Sequence, residues 1–296
     1  MDLSKDKGGV YRMELSTSTN IHQFYKQDYY FFDAVKSIEL CKKTGYRAID
    51  ISMHSVSIGN KPMAKDDWKD WVYSVRKTIE ANNLFPTQAH AFFFSRKIAQ
   101  TQEACDRGEK LIRRSIEAAG LLNAPWIVVH PIHGLDVVGL THNEIFYKNV
   151  DYFNRLADYA EKNHIGIAVE NMFEGSFESA EDLLQLINEV GRQNVGICWD
   201  TGHAHLAKQD QVASILALGK RCKALHISDN NGKYDEHMLP YFGSIDWQSI
   251  VTALKNSGYE GDFTYEIHNT TKNVPIPLRE RLLRYTWEVG QELLKL

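Results

Sequence analysis

The feature that most constrains the fold of this chain is a regular alternation of short apolar runs with longer amphipathic stretches. The runs are rich in valine, isoleucine and aromatic side chains, as strands buried on both faces are. Eight such runs are Val10–Leu15, Ala48–Ser52, Pro86–His90, Trp126–His130, Gly166–Asn171, Val195–Asp200, Ala224–Ser228 and Phe263–His268. The pattern predicts eight buried strands with a helix after each.

The stretches between the runs have the apolar spacing and the flanking residues of helices. Ser179 precedes Asp182 as in a capping box, and Gly120, Gly191 and Gly258 stand where helices are expected to end. The predicted helices are Asp33–Lys43, Asp67–Asn82, Thr101–Leu122, Asn143–Asn163, Ser179–Val190, Gln209–Leu218, Asp246–Asn256 and Leu278–Lys295.

Eight strand–helix units without a long linker predict the α/β class and a closed parallel (β/α)₈ TIM barrel. A length of 296 residues allows two domains of ~150 residues, but barrels of ~250 residues form one domain. A doubly wound open sheet would need a glycine-rich phosphate-binding turn after its first strand, and ELSTSTN contains none. We therefore expect one barrel domain over residues 1–296.

Composition narrows the class of partner. Apolar residues make up 43% and the net charge is −4, which is typical of a globular protein and argues against a nucleic acid partner. The four cysteines form no CxxC pair and fit a reducing cytoplasm. The polar N-terminus lacks the apolar core of a signal peptide, and no apolar stretch approaches ~18 residues. We expect a cytoplasmic protein, not attached to a membrane, that acts on a small molecule.

Ionisable residues end six consecutive predicted strands, from the third to the eighth. Active sites of TIM barrels lie at the carboxyl ends of the strands, so these side chains should meet there. Burying so many ionisable groups together costs several kcal/mol unless a cation compensates, which predicts a divalent metal site. The strand-end residues are His90, His130, Glu170, Asp200, His226 and Glu266.

The last four strands offer the best set of ligands. Glu170, Asp200, His226 and Glu266 follow neighbouring strands that lie ~4.8 Å apart, so they can converge on one ion. Three carboxylates and one imidazole suit Mn²⁺, Mg²⁺, Co²⁺ or Fe²⁺, and Zn²⁺ also binds such sets. The choice among these ions stays open.

Several motifs in this part of the chain resemble a known family. AHAF, VVHP, AVENM, CWDTGHAHLA, LHISDNNGKYDEHMLPYFGSIDW and YEIH occur in order from His90 to His268. They resemble the sugar phosphate isomerase/epimerase family of the xylose-isomerase-like barrel superfamily. The resemblance implies metal binding by the same four residues and a substrate contact by His203. Ketose epimerases of this family carry an arginine after the strand-seven motif, where this chain has Asn230 to Lys233.

A second branch of the superfamily, abasic-site nucleases of the endonuclease IV type, binds three zinc ions through nine polar residues. All nine residue types are present here, although the sequence around strand seven departs from the nuclease pattern. The matching positions are His90, His130, Glu170, Asp200, His203, His226, Asp235, His237 and Glu266.

The family activity implies removal of a proton beside a carbonyl, through an enediolate that a metal stabilises. We expect Glu170 and Glu266 to act as the base and acid pair. His203, His90, His130, His237 and Asp235 are expected to face the substrate. Lys233 is a candidate for a phosphate contact, and Trp199 for stacking on a sugar ring. The run Phe92–Phe94 could pack against another subunit of a homo-oligomer.

The leading hypothesis is a metal-dependent isomerase or epimerase of a sugar or sugar phosphate. One alternative is a dehydratase of inosose-type keto-sugars, which would use the same metal and expel a hydroxyl group. Another is a zinc phosphodiesterase of the endonuclease IV type. A third is a sugar-binding subunit without catalytic activity.

Overall fold

Eight parallel strands form the central sheet of the protein. The structure is a computed structural model, which describes residues 13–22, 24–26, 29–31, 33–173 and 175–296. The strands are β1 (Leu15–Ser18), β2 (Ala48–Ser52), β3 (Phe85–His90), β4 (Trp126–Val129), β5 (Gly166–Glu170), β6 (Val195–Asp200), β7 (Cys222–His226) and β8 (Phe263–Tyr265). Two short strands, Phe24–Lys26 and Tyr29–Phe31, pair antiparallel outside this sheet.

The sheet curls into a nearly closed barrel. Its strands follow the order β8-β1-β2-β3-β4-β5-β6-β7, and each strand is parallel to its neighbours in this order. A bridge between Ile227 and Tyr265 joins the two ends, with Ile227 N donating to Thr264 O over 2.8 Å. This confirms the predicted TIM barrel.

Helices cover the outside of the barrel. The α-helices are Ala34–Thr44, Trp68–Ala81, Arg96–Ala99, Gln102–Leu121, His142–Lys162, Ala180–Val190, Thr201–Leu206, Gln211–Leu218, Trp247–Ser257, His268–Lys272 and Ile276–Leu293. The eight long predictions are confirmed to within a few residues at either end. The three shortest helices were not predicted, and each lies in the segment that follows β3, β6 or β8 at the carboxyl end of the barrel. No helix among the described residues is long and apolar enough to cross a membrane.

Helix ends follow the predicted signals with one exception. Ser179 and Asp182 form the capping box, and Gly191 ends its helix in the left-handed conformation at φ 65°. Gly120 was predicted to follow a helix but lies inside Gln102–Leu121. A Cβ atom there would approach Asn163 O to 2.5 Å, so this glycine permits close packing between two helices.

The first strand was predicted wrongly. It was placed at Val10–Leu15, whereas β1 runs from Leu15 to Ser18, and residues 10–12 lie outside the described residues. The polar residues Ser16 to Ser18 were interpreted as a loop. All three are buried, and the Ser16 hydroxyl lies 3.0 Å from that of Thr87. Paired hydroxyls can therefore replace apolar side chains on the interior face of a strand.

Strand alternation decides which residues reach the site. Small side chains, Val128, Ala168, Cys198 and Ala224, form a separate buried cluster inside the barrel. Because side chains on a strand alternate between its two faces, a residue two positions later points the same way. The later residues are His130, Glu170, Asp200 and His226.

Candidate active site

A cavity of about 690 Å³ opens at the carboxyl ends of the barrel strands. Asp200 and His226, with no exposed surface, lie beside Glu170 below this cavity. Other predicted site residues line it directly: His90, His130, Glu170, His203, Asp235, His237 and Glu266.

The centre of the site is a set of four residues that we call the carboxylate cluster: Glu170, Asp200, His226 and Glu266. Each offers one ligand atom, and these atoms lie within 4.8 Å of one another. His226 Nδ1 is 2.7 Å from Glu170 Oε1, 3.5 Å from Glu266 Oε2 and 3.8 Å from Asp200 Oδ2. One imidazole nitrogen therefore faces all three carboxylates.

Within the described residues, two buried oxygens of this cluster accept no hydrogen bond of good geometry, although His130 Nε2 lies 3.1 Å from the first of them. They are Glu170 Oε2 and Asp200 Oδ2, on side chains that are 1% and 0% exposed. Unpaired buried carboxylate oxygens are costly, and a divalent cation among them would compensate the charge. Three oxygen donors with one imidazole thus fit a divalent metal ion.

The carboxylates of the cluster differ in acidity because their neighbours differ. Burial alone would raise the pKa of Glu170, but His226 and His130 hold it well below the usual value. Burial raises the pKa of Asp200 to about 6 against the opposing effect of His203. Burial also acts on Glu266, yet His226 and His237 lower its pKa to about 2. Glu170 and Glu266 are therefore ionised at neutral pH.

A second group, His203, Asp235 and His237, lies on the side of the loop that follows β7. Asp235 Oδ2 is 2.9 Å from His237 Nε2 and 3.8 Å from His203 Nε2. Burial alone would lower the pKa of both imidazoles. Asp200 and Asp235 instead raise the pKa of His203 to about 10, and Glu266 and Asp235 raise that of His237 to about 9. The surrounding carboxylates therefore favour the charged form of both rings.

Asn171 connects β5 to the residues that follow β6. Its side chain exchanges two hydrogen bonds with the backbone of Asp200, at 2.6 and 3.0 Å. Asp200 caps the helix Thr201–Leu206 by accepting from His203 N, and His203 Nδ1 donates to Asn171 O over 2.9 Å. This arrangement fixes the ring of His203 at the cavity wall.

The opposite wall of the cavity is aromatic, and we call His54, Phe93, His130 and His133 the aromatic wall. The Phe93 ring stacks between His54 and His130, with centroid distances of 3.7 and 4.5 Å. Burial, with neighbouring imidazoles, lowers the pKa of His54 to about 3 and that of His133 to about 4. His130 Nε2 reaches Glu170 Oε2 at 3.1 Å and joins the two walls.

Asp229 explains why the β7 loop keeps its shape. Its carboxylate accepts hydrogen bonds from Tyr241 N, Ile245 N and the indole of Trp247 at 2.9 to 3.2 Å. A Cβ atom at Gly243 would lie 2.3 Å from Asp229 Oδ1, so only glycine fits there. The aspartate, glycine and tryptophan of the strand-seven motif thus form one buried unit that holds the loop carrying Asp235 and His237.

Two predicted substrate contacts are not at the cavity. Trp199 is fully buried in the hydrophobic core. It alternates with Cys198 and Asp200 on β6, so it points to the helix layer and not into the barrel. Lys233 is exposed on the β7 loop and does not line the cavity.

All three side chains of the phenylalanine run line the cavity. Phe92 and Phe94 also pack against the core, whereas Phe93 is 40% exposed, and a contact of this run with another subunit stays a prediction. Sequence reasoning also missed Asn171 and Asp229 as supports of the site, although both lie inside the motifs that carry the family resemblance.

The comparisons with known proteins agree with this geometry. A model of the xylose isomerase-like TIM barrel family matches residues 38–286. The chain belongs to this family. An L-ribulose 3-epimerase of Methylomonas sp. (strain DH-1) is 25% identical over 239 residues, which cover 79% of this chain and 78% of that protein. An inosose isomerase of Halalkalibacterium halodurans is 24% identical over 251 residues, covering 79% and 82%.

Two further relatives match a shorter part of the chain, and two solved structures support the fold alone. Uncharacterised proteins of Sinorhizobium fredii and Methanocaldococcus jannaschii are 28% and 32% identical, but the chain spans only 52% and 56% of their lengths. A crystal structure of a D-psicose 3-epimerase in the presence of D-fructose has a TM-score of 0.73 at 16% identity, covering 95% of this chain and 99% of that one. The IolI protein with a bound zinc atom has a TM-score of 0.73 at 19% identity, covering 95% and 98%.

Proposed function

We propose that this protein is a divalent-metal-dependent sugar isomerase or epimerase that transfers a proton at the carbon beside a ketose carbonyl. The observation that carries the proposal is the convergence of Glu170, Asp200, His226 and Glu266 at the cavity, with two buried oxygens unpaired. The names of two relatives that match most of the chain, an L-ribulose 3-epimerase and an inosose isomerase, support the same class.

The four residues of the carboxylate cluster would hold the metal. A bound divalent cation supplies Lewis acidity that polarises the sugar carbonyl and lowers the cost of charge on its oxygen. The donor set suits Mn²⁺, Mg²⁺, Co²⁺, Fe²⁺ or Zn²⁺, and the zinc in the IolI neighbour is consistent with the last.

Glu170 and Glu266 are the candidates for proton transfer. They come from β5 and from the residue after β8, and both line the cavity. The low pKa of each keeps it ionised at neutral pH, although it also makes each carboxylate a weaker base. Epimerisation requires a group on each face of the reacting carbon, which two glutamates from separate strands can provide. His203, protonated and fixed by Asn171, is positioned to donate to a substrate oxygen where negative charge develops.

The cavity favours an uncharged sugar over a sugar phosphate. Among the described residues that line it, the guanidinium of Arg96 is the only lysine or arginine head group. That guanidinium is already bound by Glu109 and lies 3.8 Å from Asp136. Apart from the imidazoles of His203 and His237, a phosphate dianion would therefore meet mainly carboxylates and aromatic rings.

The test is metal analysis combined with solvent exchange. The protein, purified without chelator, is expected to hold about one divalent ion per chain by elemental mass spectrometry. His226→Ala should lose this ion, while exposed Glu189→Gln should retain it. A panel of ketoses in deuterated water should then give deuterium at the carbon beside the carbonyl, without loss of water. The proposal would be contradicted if the purified protein held no divalent metal. It would also be contradicted if deuterium exchange were as fast in His226→Ala as in the native protein.

A second candidate is a zinc phosphodiesterase, because the structure assembles further potential ligands beside the first set. His90 Nε2 and His130 Nε2 lie 3.5 and 3.1 Å from Glu170 Oε2. His203, Asp235 and His237 form a second group within 4.8 Å. Two or three zinc ions per chain, with cleavage of a duplex containing an abasic site, would favour this function over the first.

A further inference from the structure

Asp50 is a buried carboxylate inside the barrel to which the proposed chemistry gives no role. It lies in β2, is 1% exposed, and its Oδ1 has no hydrogen-bond partner within the described part of the chain. Its Oδ2 lies 3.7 Å from Nε2 of His226, across the barrel on β7. A buried carboxylate needs a partner, and the imidazole of His226 is an ionisable group that faces it.

Gln88 holds Asp50 in this position. The two residues are in register on β2 and β3, and Gln88 Nε2 donates to Asp50 Oδ2 over 3.4 Å. The same amide donates to Leu225 O over 3.2 Å and accepts from Leu225 N over 3.4 Å. Gln88 therefore connects the Asp50 carboxylate to the strand that carries His226.

The two nitrogens of His226 have different surroundings. Nδ1 faces Glu170, Asp200 and Glu266, whereas Nε2 is buried without a hydrogen-bond partner in the described residues. A ring that binds a metal through one nitrogen carries its proton on the other, and an acceptor for that proton fixes both tautomer and orientation. A movement of less than about one ångström would bring Asp50 Oδ2 within hydrogen-bond distance of Nε2.

We propose that Asp50 is a positioning residue that accepts the Nε2–H proton of His226 and so directs Nδ1 to the metal. The inference rests on the proposed metal-dependent function, in which His226 is a ligand. Asp50 would act from the side of the imidazole opposite the three carboxylates, and Gln88 would keep it there. Its loss should weaken metal binding without removing any ligand.

Asp50→Ala and Asp50→Asn test this role, with Asp262→Asn as the matched control. Asp262 precedes β8 at the opposite end of the barrel and accepts from Glu14 N over 2.9 Å. Zn²⁺ affinity is measured by competition with a chromophoric chelator. We expect ~10–100-fold weaker binding in Asp50→Ala, a smaller loss in Asp50→Asn, whose amide oxygen can still accept, and native affinity in Asp262→Asn. Native Zn²⁺ affinity in both Asp50 variants would overturn the proposal.

Imidazole NMR gives a readout that does not depend on activity. In protein labelled with ¹⁵N-histidine, the Nε2–H signal of His226, identified by its loss in His226→Gln, should exchange slowly and lie downfield. In Asp50→Ala it should move upfield or vanish. If the native chain binds no divalent metal, the proposed function fails. The same spectra, recorded on metal-free protein, still decide whether Asp50 accepts from His226, and an unchanged signal in Asp50→Ala would refute it.

Discussion

The carboxylate cluster and the aromatic wall form two walls of the cavity, and they shift the pKa of histidine in opposite directions. In the carboxylate cluster, burial opposes the charged form of His226, but Cys198, Glu170 and Glu266 raise the pKa of this imidazole well above the usual value. On the aromatic wall, His54 packs against Phe93 and has a pKa of about 3, because burial and nearby imidazoles disfavour its charged form. The pKa of each histidine in this barrel is therefore set by its neighbours.

Under the proposed function, this difference assigns different tasks to the two walls. Charged groups that hold a metal and move protons belong on the wall with the carboxylates. Neutral stacked rings provide a rigid apolar surface on which a sugar can lie. Substitutions in the carboxylate cluster should affect the rate of proton transfer, and substitutions in the aromatic wall should affect the affinity for the sugar.

The largest effect is expected for Glu170→Gln. The amide keeps the volume of the side chain but cannot accept a proton or compensate His226 and His130 in the same way. Deuterium exchange into the substrate should fall by ~10²–10⁴-fold, measured by mass spectrometry under substrate saturation. Glu189→Gln, a solvent-exposed change of the same chemistry, should leave the rate unchanged. A loss of less than tenfold would mean that the two walls do not divide the tasks in this way.

The sequence predicted the fold and the main polar residues because both follow from simple periodicities. Alternation on a strand places Glu170, Asp200 and His226 inside the barrel, and their position at strand ends brings them to one opening. The same alternation was overlooked for Trp199, whose aromatic character suggested sugar stacking although its position on β6 directs it outward.

Other features could not be predicted because they depend on contacts between distant parts of the chain. The position of His54 suggests that it lines the cavity, but its stacking on Phe93, 39 residues later, has no local signal in the sequence. Asp50 faces His226 only because the barrel closes, and β1 escaped recognition because its buried hydroxyls have no apolar signature. In each case the deciding neighbour comes from another strand or loop.

The second largest effect is a change in the pH dependence of stability. The pKa of His54 falls from ~6.5 in the unfolded chain to about 3 in the folded protein, so its neutral form stabilises the fold above pH 6.5. That stability is lost as the pH falls from 6.5 towards 3. In His54→Phe, the free energy of unfolding in urea should therefore decline less between pH 6.5 and 4.5, by up to ~1.4 kcal/mol per pH unit.

His54→Asn separates titration from stacking. It removes the ionisable group and the ring together, so its absolute stability should be lower than that of His54→Phe. Its pH dependence should nevertheless match that of His54→Phe. Unfolding curves that keep the native pH dependence in both variants would show that His54 is not held neutral by the aromatic wall.

Phe93→Ala should affect binding more than chemistry. The change removes two ring contacts, to His54 and His130, each worth ~0.5–1.5 kcal/mol. We expect KM for the sugar to rise by about tenfold, with a much smaller change in kcat, from initial-rate measurements. Phe242→Ala removes an exposed ring that does not line the cavity and should change neither constant. A fall in kcat comparable to that of Glu170→Gln would place the aromatic wall in the chemical step.

The smallest effect is expected for Lys233→Ala. This side chain is exposed on the β7 loop, and surface changes of this kind usually alter free energies by less than ~0.5 kcal/mol. Initial rates with free sugars and with sugar phosphates should both stay within about twofold of the native values. A loss confined to phosphorylated sugars would instead show that the loop closes over the cavity and brings a cation to the substrate. In that case the charge of the substrate would be recognised by the loop and not by either wall.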